Sequence, residues 1–275
     1  MEVVSKGMIE RWIVPHLSKG KRGPKASVDL CLVMQLIFYR LKTGCQWRSL
    51  PMGQLRIADQ LSWQGVYYHY RRWVSQGVFK KAWVEILRQN KRKLDLSSLQ
   101  LDGSHTPAKK GGEAVGYQGR KKQRTTNGLF FVDNSGQPLA LSTPQAGNQT
   151  DLFEINILFE ELCTLLEEAG IDLRGVFLNA DCGFDTVSML EACEHREIEA
   201  NIDKQQRKTR PENRNITYRY FDEELYKRRF VVERANAWLD SFKALLVRYE
   251  KKISTWMAQH YMAFIILFMR KLNKC

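Results

Sequence analysis

Three short stretches of this sequence each place one carboxylate at the edge of an apolar run. They are Asp102 in Leu-Gln-Leu-Asp-Gly, Asp181 in Leu-Asn-Ala-Asp-Cys-Gly and Glu233 in Phe-Val-Val-Glu-Arg. The chain around them is strongly basic, with a formal net charge of +13. Mg²⁺ takes a few carboxylates plus phosphate oxygens, and a pair of such ions can activate an attacking oxygen while stabilising the leaving one. This combination indicates metal-dependent cleavage or transfer of nucleic-acid strands.

Two of these acids follow predicted strands directly. Residues 97–104 and 175–180 have strand character, and Asp102 and Asp181 fall at their C-terminal ends, each closely followed by a glycine. Ligand sites in open α/β sheets gather at that edge, and a nearby glycine lets the backbone turn away. An Asp-Gly pair is also a common turn former, so either aspartate alone would be interpreted as a plain strand end, whereas two aspartates on these two strands favour a site.

The order of the predicted elements gives the fold class. Strands at 97–104, 128–132 and 138–143 come first, the last two joined by a hairpin turn at 133–136. A helix (150–169), a strand (175–180), a helix (185–195), a strand (197–202), a basic insertion (203–228) and a helix (230–247) follow. This is the order of an RNase H-like α/β core, a mixed sheet flanked by helices.

Glu233 is predicted on the last of these helices. The apolar stripe of this helix consists of Val231, Ala235, Trp238, Phe242 and Leu245. If the helix extends back far enough, its opposite side carries Tyr226, Arg229, Glu233 and Asp240. Periodicity alone assigns this side to solvent, and only a position beside the two aspartates would make it part of a cleft.

The N-terminal third differs from the rest in charge and in pattern. Residues 1–95 hold 18 of the 43 Lys and Arg residues but only 6 of the 30 Asp and Glu residues. Helices are predicted at 28–41, 63–73 and 78–87, the last two separated by Gly77, which is compatible with a helix-turn-helix. We therefore expect a basic, all-helical DNA-binding domain at 1–95 and a catalytic domain at 96–275. A helical cap that merely packs on the main domain is the alternative.

Several classes of protein are disfavoured. The six cysteines include no Cys-x-x-Cys pair, which argues against a zinc ribbon. No signal peptide is evident, so the thiols are expected to be reduced and the protein intracellular. The apolar stretch at 257–269 is interrupted by Gln259 and His260 and is shorter than the roughly 20 residues of a membrane span.

The chain resembles the bacterial DDE transposases of the insertion-sequence-five family over nearly its whole length. The matching blocks are 42–51 and 66–73 in the helical part, and 102–105, 136–139, 147–151 and 179–185 in the core. The C-terminal signature of the family is a Tyr, two residues, an Arg, three residues, a Glu, six residues and a Lys. Tyr226, Arg229 and Glu233 match it in register, whereas Asp240 stands at the position of the lysine.

This resemblance implies a function. Asp102, Asp181 and Glu233 would form the catalytic, metal-binding triad for two Mg²⁺ ions, for which Mn²⁺ can substitute. The protein would bind the terminal inverted repeats of an insertion sequence, cut the ends and join them to target double-stranded DNA, as a homodimer on DNA in the bacterial cytoplasm at the nucleoid. The helix at 256–272 would serve either this dimer or the core. The alternatives are a nuclease of the same fold without strand transfer, and a catalytically weakened DNA-binding regulator.

Basic residues near these elements are candidate DNA contacts, although a solvated basic loop is the ordinary interpretation of such runs. They are Lys21, Arg22, Lys25, Arg71, Arg72, Lys109, Lys110, Arg120, Lys121, Lys122, Arg124, Arg229 and Lys243. Three further residues have two interpretations each. His105 is either a phosphate contact or a hydrogen-bonded neighbour, and Asp185 and Asp151 are either further acids of the site or residues of a helix start, with an N-cap favoured for Asp185.

Overall fold

The computed structural model of the chain describes residues 3–18, 28–54, 61–204 and 220–272. Its strands are β1 (Ser98–Pro107), β2 (Gly116–Gln118), β3 (Gln123–Asp133), β4 (Pro138–Leu141), β5 (Gln145–Ala146), β6 (Phe177–Ala180) and β7 (Glu199–Ile202). Its α-helices are α1 (Lys6–Trp12), α2 (Leu30–Thr43), α3 (Trp63–Ser75), α4 (Val78–Asn90), α5 (Ile155–Glu168), α6 (Val187–His195), α7 (Glu223–Tyr226), α8 (Val231–Asp240), α9 (Lys243–Leu246) and α10 (Ile253–Leu272).

The strands form one mixed sheet. β3 pairs antiparallel with β4 on one side and with β1 on the other, and β1, β6 and β7 then run parallel. The short strands β2 and β5 also pair with β3. With the two short strands set aside, the order is β4-β3-β1-β6-β7, in which three consecutive strands form an antiparallel unit and two more are added through helices. This confirms the predicted RNase H-like sheet flanked by helices.

The parallel strands have two chemically different faces, because alternate residues of a strand point to opposite sides. One face is apolar and buried under α5 and α6; it carries Leu99, Leu101, Leu178, Ala180 and Ile202. The other face carries amide side chains and lies against α7 and α8. We call the second one the amide face. Asp181 lies just beyond the end of β6, as predicted, whereas Asp102 lies in the middle of β1, because β1 continues antiparallel to β3 as far as Pro107 after its parallel pairing with β6 ends at Leu101.

The helices α2, α3 and α4 pack against the C-terminal helix α10. The Trp83 ring of α4 lies 5.8 Å from Phe264 and 5.9 Å from Phe268, and its indole N–H donates to the Leu139 carbonyl of β4 at 2.7 Å. Most of α10 is therefore buried within its own chain. Of the two roles predicted for this helix, core packing and dimer formation, the structure supports core packing. The boundary between the two predicted domains, near residue 95, stays a prediction.

Two predicted helices have different bounds in the structure. The helix expected at 230–247 ends at Asp240, and a separate helix, α9, starts at Lys243. In its predicted apolar stripe, Trp238 is 38 % exposed, and the buried side chains are Val232, Ala235 and Leu239. The helix expected at 150–169 starts only at Ile155, because residues 147–154 form turns that dock on β1 and β3. None of the described helices is long and apolar enough to cross a membrane.

Candidate active site

Asp102 and Asp181 lie side by side because of the register of their strands. β1 and β6 are parallel, and Leu101 is directly paired with Ala180. Asp102 follows Leu101 within β1, and Asp181 follows Ala180 immediately after the end of β6, so the two aspartates follow neighbouring positions of chains that run about 4.8 Å apart. By strand alternation both belong to the amide face. Asp181 is exposed, and its Oδ1 accepts the backbone N–H of Gly183 at 2.6 Å, which turns the chain away after the strand.

Glu233 is exposed in the first turn of α8, which packs across β1 and β3. From the same helix, Asn236 donates its side-chain amide to Asp102 Oδ2 at 3.4 Å. Burial, together with the nearby carboxylates of Asp151 and Glu233, raises the pKa of Asp102 to about 6. Glu233 is thus close enough to Asp102 for their charges to interact, and no basic side chain among the described residues offsets the half-buried carboxylate of Asp102.

Two further acids lie near this edge. Asp203 follows β7 as Asp181 follows β6, and both aspartates raise the pKa values of Cys182 and Tyr226, where burial is the largest cause. Asp203 was missed in the sequence, although the same pattern precedes it: Asn201-Ile-Asp203 repeats Asn179-Ala-Asp181.

Asp151 approaches Asp102 from the other face of β1. Its carboxylate occupies the space that a side chain at Gly103 would need, and its Oδ1 accepts the side-chain amide of Asn127 at 2.6 Å. It does not serve the start of α5, which begins four residues later. The N-cap predicted at Asp185 is also wrong: Thr186 caps α6, and its hydroxyl accepts the Met189 N–H at 3.3 Å.

The acids do not yet form a closed metal cage. Within the described ranges, no three His, Cys, Asp or Glu side chains are close enough together to share a metal ion. Asp102, Asp181 and Glu233 supply the carboxylate oxygens that Mg²⁺ prefers, so the donors fit a magnesium site in kind. A cavity of about 1020 Å³ opens elsewhere, between α4, α5, α6 and α10, and none of these three acids lines it.

Basic side chains surround this edge unevenly. Lys109 and Lys110 are exposed just beyond β1. The β2–β3 hairpin carries Arg120, Lys121, Lys122 and Arg124, all exposed. Lys121 donates to the His105 carbonyl at 3.3 Å, which brings the hairpin tip beside the strand of Asp102. His105 itself is half-buried, with Nδ1 3.1 Å from Thr125 Oγ1, and it is a hydrogen-bonded neighbour rather than a free side chain.

The other candidate DNA contacts are more distant or differently engaged. Arg229 lies over the rings of Tyr226 and Phe230 and is near Cys182. Lys243 is exposed on α9, where its backbone contacts Gly44 at the end of α2. Arg71 is exposed and Arg72 half-buried near the end of α3. Lys21, Arg22 and Lys25 lie outside the described residues, as does 205–219 of the basic insertion.

The fold and the carboxylates at its edge define a chain of the RNase H-like class, and comparison with family models gives the family. Residues 94–268 match the model of the transposase DDE domain. Residues 8–83 match a model described as "Putative transposase of IS4/5 family (DUF4096)". The chain belongs to the DDE transposases of the IS4/5 family.

Other comparisons add little. No curated protein sequence matches the chain. Among solved structures, the Mos1 transposase paired-end complex with the left transposon end is 12 % identical, with a TM-score of 0.30, covering 93 % of this chain and 81 % of that one. The Mos1 strand transfer complex is 11 % identical, with the same TM-score and the same coverage. The fold assignment therefore rests on the strand order and not on these likenesses.

Proposed function

We propose that this transposase cleaves the ends of an insertion sequence and joins them to target DNA with Asp102, Asp181 and Glu233 as its catalytic triad. The observation that supports this proposal most strongly is the parallel pairing of Leu101 with Ala180, which makes neighbours of two aspartates 79 positions apart in the chain. The charge interaction between Asp102 and Glu233 adds the third acid.

The three carboxylates would hold Mg²⁺, or Mn²⁺ in its place, as a pair of ions. When bound, these ions neutralise charge on the phosphate and activate the attacking oxygen. The residues of the chain then have separate tasks. Asp102 is half-buried within β1 and accepts a hydrogen bond from Asn236, so it gives the site a rigid reference point. Asp181 and Glu233 are exposed and can adjust when the ions and the DNA arrive.

Double-stranded DNA is the expected partner. The basic hairpin of Arg120, Lys121, Lys122 and Arg124 lies next to the acidic edge, where it can hold the phosphate backbone beside the triad. Lys109 and Lys110 extend this basic surface beyond the end of β1. Two element ends must be processed together, so the working form would be a homodimer on DNA.

The test is an assay of cleavage and joining with purified protein, labelled end DNA, a target plasmid and Mg²⁺ or Mn²⁺. We expect nicked ends and joined products from the unmodified chain, and neither from Asp102→Asn, Asp181→Asn or Glu233→Gln, while gel-shift binding of the ends persists. Cleavage without joined products would indicate a nuclease instead. Selective binding without any cleavage would indicate a regulator, the alternative suggested by Asp240 at the position of the lysine.

A further inference from the structure

The amide face of the sheet contains a continuous row of amide side chains. Gln100, Asn179 and Asn201 are direct register partners on the adjacent parallel strands β1, β6 and β7, and each is at most 1 % exposed. Asn201 donates to Asn179 Oδ1 at 2.7 Å, and Asn179 donates to Gln100 Oε1 at 3.0 Å. We call these three residues the amide row. Each one lies two residues before an aspartate: Asp102, Asp181 or Asp203.

The row extends beyond the sheet to the segment that leads to Glu233. Asn179 also donates to the Leu225 carbonyl at 2.9 Å. Asn201 exchanges two bonds with Asp222: it donates to the Asp222 carbonyl at 2.9 Å and accepts the Asp222 N–H at 2.8 Å. Three hydrogen bonds therefore attach α7 and its N-cap residue to β6, which leads to Asp181, and to β7, which leads to Asp203.

This arrangement is costly unless it serves a purpose. Asparagine is disfavoured in strands, and burying an amide without hydrogen-bond partners is destabilising. Apolar or β-branched side chains would fill the same positions at no such cost. A fully bonded buried network, in contrast, fixes one arrangement of the elements it joins.

The element that is fixed here carries the third acid. The chain runs without interruption from α7 through a short 3-10 turn into α8, so Leu225 lies only eight residues before Glu233. At about 1.5 Å of rise per residue this is roughly 12 Å of nearly continuous helix. A displacement of Leu225 on the sheet would therefore move Glu233 relative to Asp102 and Asp181.

We propose that Asn179 and Asn201 are positioning residues of this transposase, which set the location of Glu233 opposite the two aspartates by holding the backbone at Asp222 and Leu225. The inference rests on the proposed function of the triad. It assigns to the row a role in the rate of DNA cleavage, separate from any role in DNA binding or in overall stability.

Hydrogen exchange of the free protein tests the attachment. In Asn201→Ala we expect the amide of Asp222 and its neighbours up to Tyr226 to exchange at least about tenfold faster, while protection in β1 and β3 is kept. Asn201→Ser keeps a neutral hydroxyl that can both donate and accept but is too short to make all the bonds of the amide, and it should give an intermediate change. It also serves as the second variant if the alanine variant does not fold. Unchanged exchange at 222–226 in a folded variant would overturn the proposal.

Single-turnover cleavage tests the consequence. At saturating DNA and Mn²⁺ we expect Asn179→Ala and Asn201→Ala to cleave about 10- to 100-fold more slowly, since small misplacements of a reacting group have effects of this size. Their dissociation constants for end DNA should stay within about twofold of the unmodified chain. The matched control is Ser98→Ala, which removes the bond from Gln100 to Ser98 at 2.9 Å without touching α7. It should lose comparable stability and retain the cleavage rate.

The outcomes separate the two proposals. If Glu233→Gln cleaves at the normal rate, the proposed triad is wrong and the row has nothing to position. If Glu233→Gln is inactive while both asparagine variants cleave normally, the triad stands and the positioning role is wrong. Equal slowing by Ser98→Ala and by the asparagine variants would also overturn it, because the effect would then come from stability alone.

Discussion

The two faces of the parallel strands β1, β6 and β7 obey different rules. On the face toward α5 and α6, Leu99, Leu178 and Ile202 are each fully buried among other apolar side chains. On the amide face, the same strands bury Gln100, Asn179 and Asn201, and these side chains are hydrogen-bonded to one another. Apolar contacts are tolerant of small shifts, whereas an amide row allows only one register. The amide face, whose register is fixed by hydrogen bonds, is therefore the face on which the strands continue to Asp102 and Asp181.

The largest expected effect is a loss of DNA cleavage when an acid next to the amide face is changed. Asp181→Asn removes one carboxylate charge from the exposed edge of the amide face, and we expect DNA cleavage to fall on the order of 10³-fold or more, because stabilisation by a bound metal amounts to several kcal/mol. The free energy of unfolding should hardly change, since Asp181 is exposed.

Cleavage rates and urea denaturation of the same preparations measure both quantities. Asp172→Asn is the matched control, because Asp172 is an exposed acid that pairs locally with Arg174 far from the triad. A variant at Asp181 that cleaves like this control would remove Asp181 from the site.

On the apolar face the effects should be reversed. Leu178→Ala leaves a cavity beside the same strand, and we expect it to lower the free energy of unfolding by about 2–5 kcal/mol. Well below the melting temperature, the cleavage rate per folded molecule should remain near normal. Ile157→Ala on α5 provides the control, because that side chain is 59 % exposed and should cost less than about 0.5 kcal/mol. A specific loss of cleavage in folded Leu178→Ala would show that the faces are not independent.

What could be predicted from the sequence follows the same division. The spacing of apolar residues predicts β1, β6, α3 and α4 to within a few residues, because apolar side chains mark the buried positions of each element. The break between α8 and α9 could not be seen, since Phe242 and Leu245 continue the apolar spacing although the helix stops at Asp240. The hydrogen-bond partners of Asn179 were also out of reach, because they depend on which strands become neighbours.

The candidate site shows a similar limit. Asp102, Asp181 and Glu233 were identified from motif spacing, and the pairing of β1 with β6 supplies the physical reason why the first two are neighbours. The sequence leaves Asp151 with two interpretations, a further acid of the site or a residue of a helix start, because its place over Gly103 depends on a turn that packs against β1. Contacts of this kind between distant segments have no local signal. Asp203, in contrast, has a local signal, because Asn201-Ile-Asp203 repeats Asn179-Ala-Asp181.

The apolar core also contains a buried histidine, His260, which should make the free energy of unfolding depend on pH. His260 of α10 is buried between Trp256 and Phe130, its Nδ1 is 3.0 Å from the Trp256 carbonyl, and burial lowers its pKa to about 4. An unfolded histidine has a pKa near 6.5, so the unfolded chain binds more protons between these values. Stability is therefore fully present above about pH 6.5 and is lost as the pH falls toward 4, by about 3 kcal/mol from this group.

Urea denaturation at several pH values measures this loss. His260→Gln should flatten the pH dependence in this range, while His195→Gln, at an exposed position, should leave it as it is. If the two variants have the same slope as the unmodified chain, another group carries the acid sensitivity of the core.

The smallest effect concerns the end of α8, where this chain departs from the signature of its family. Asp240 is exposed at the last residue of the helix, and no basic side chain lies in the last turn. A negative charge there opposes the helix dipole, so Asp240→Lys should raise the free energy of unfolding by about 0.5–1 kcal/mol. If this position also faces DNA, the slope of log affinity against log salt should become steeper by about one, as for one added phosphate contact.

Asp240→Asn separates the two effects, because it removes the unfavourable charge without adding a cation. It should give part of the stability gain and no change in slope. An unchanged slope in Asp240→Lys would show that this residue acts only through the helix dipole. The catalytic part of the C-terminal signature would then end in the first turn of α8, at Glu233.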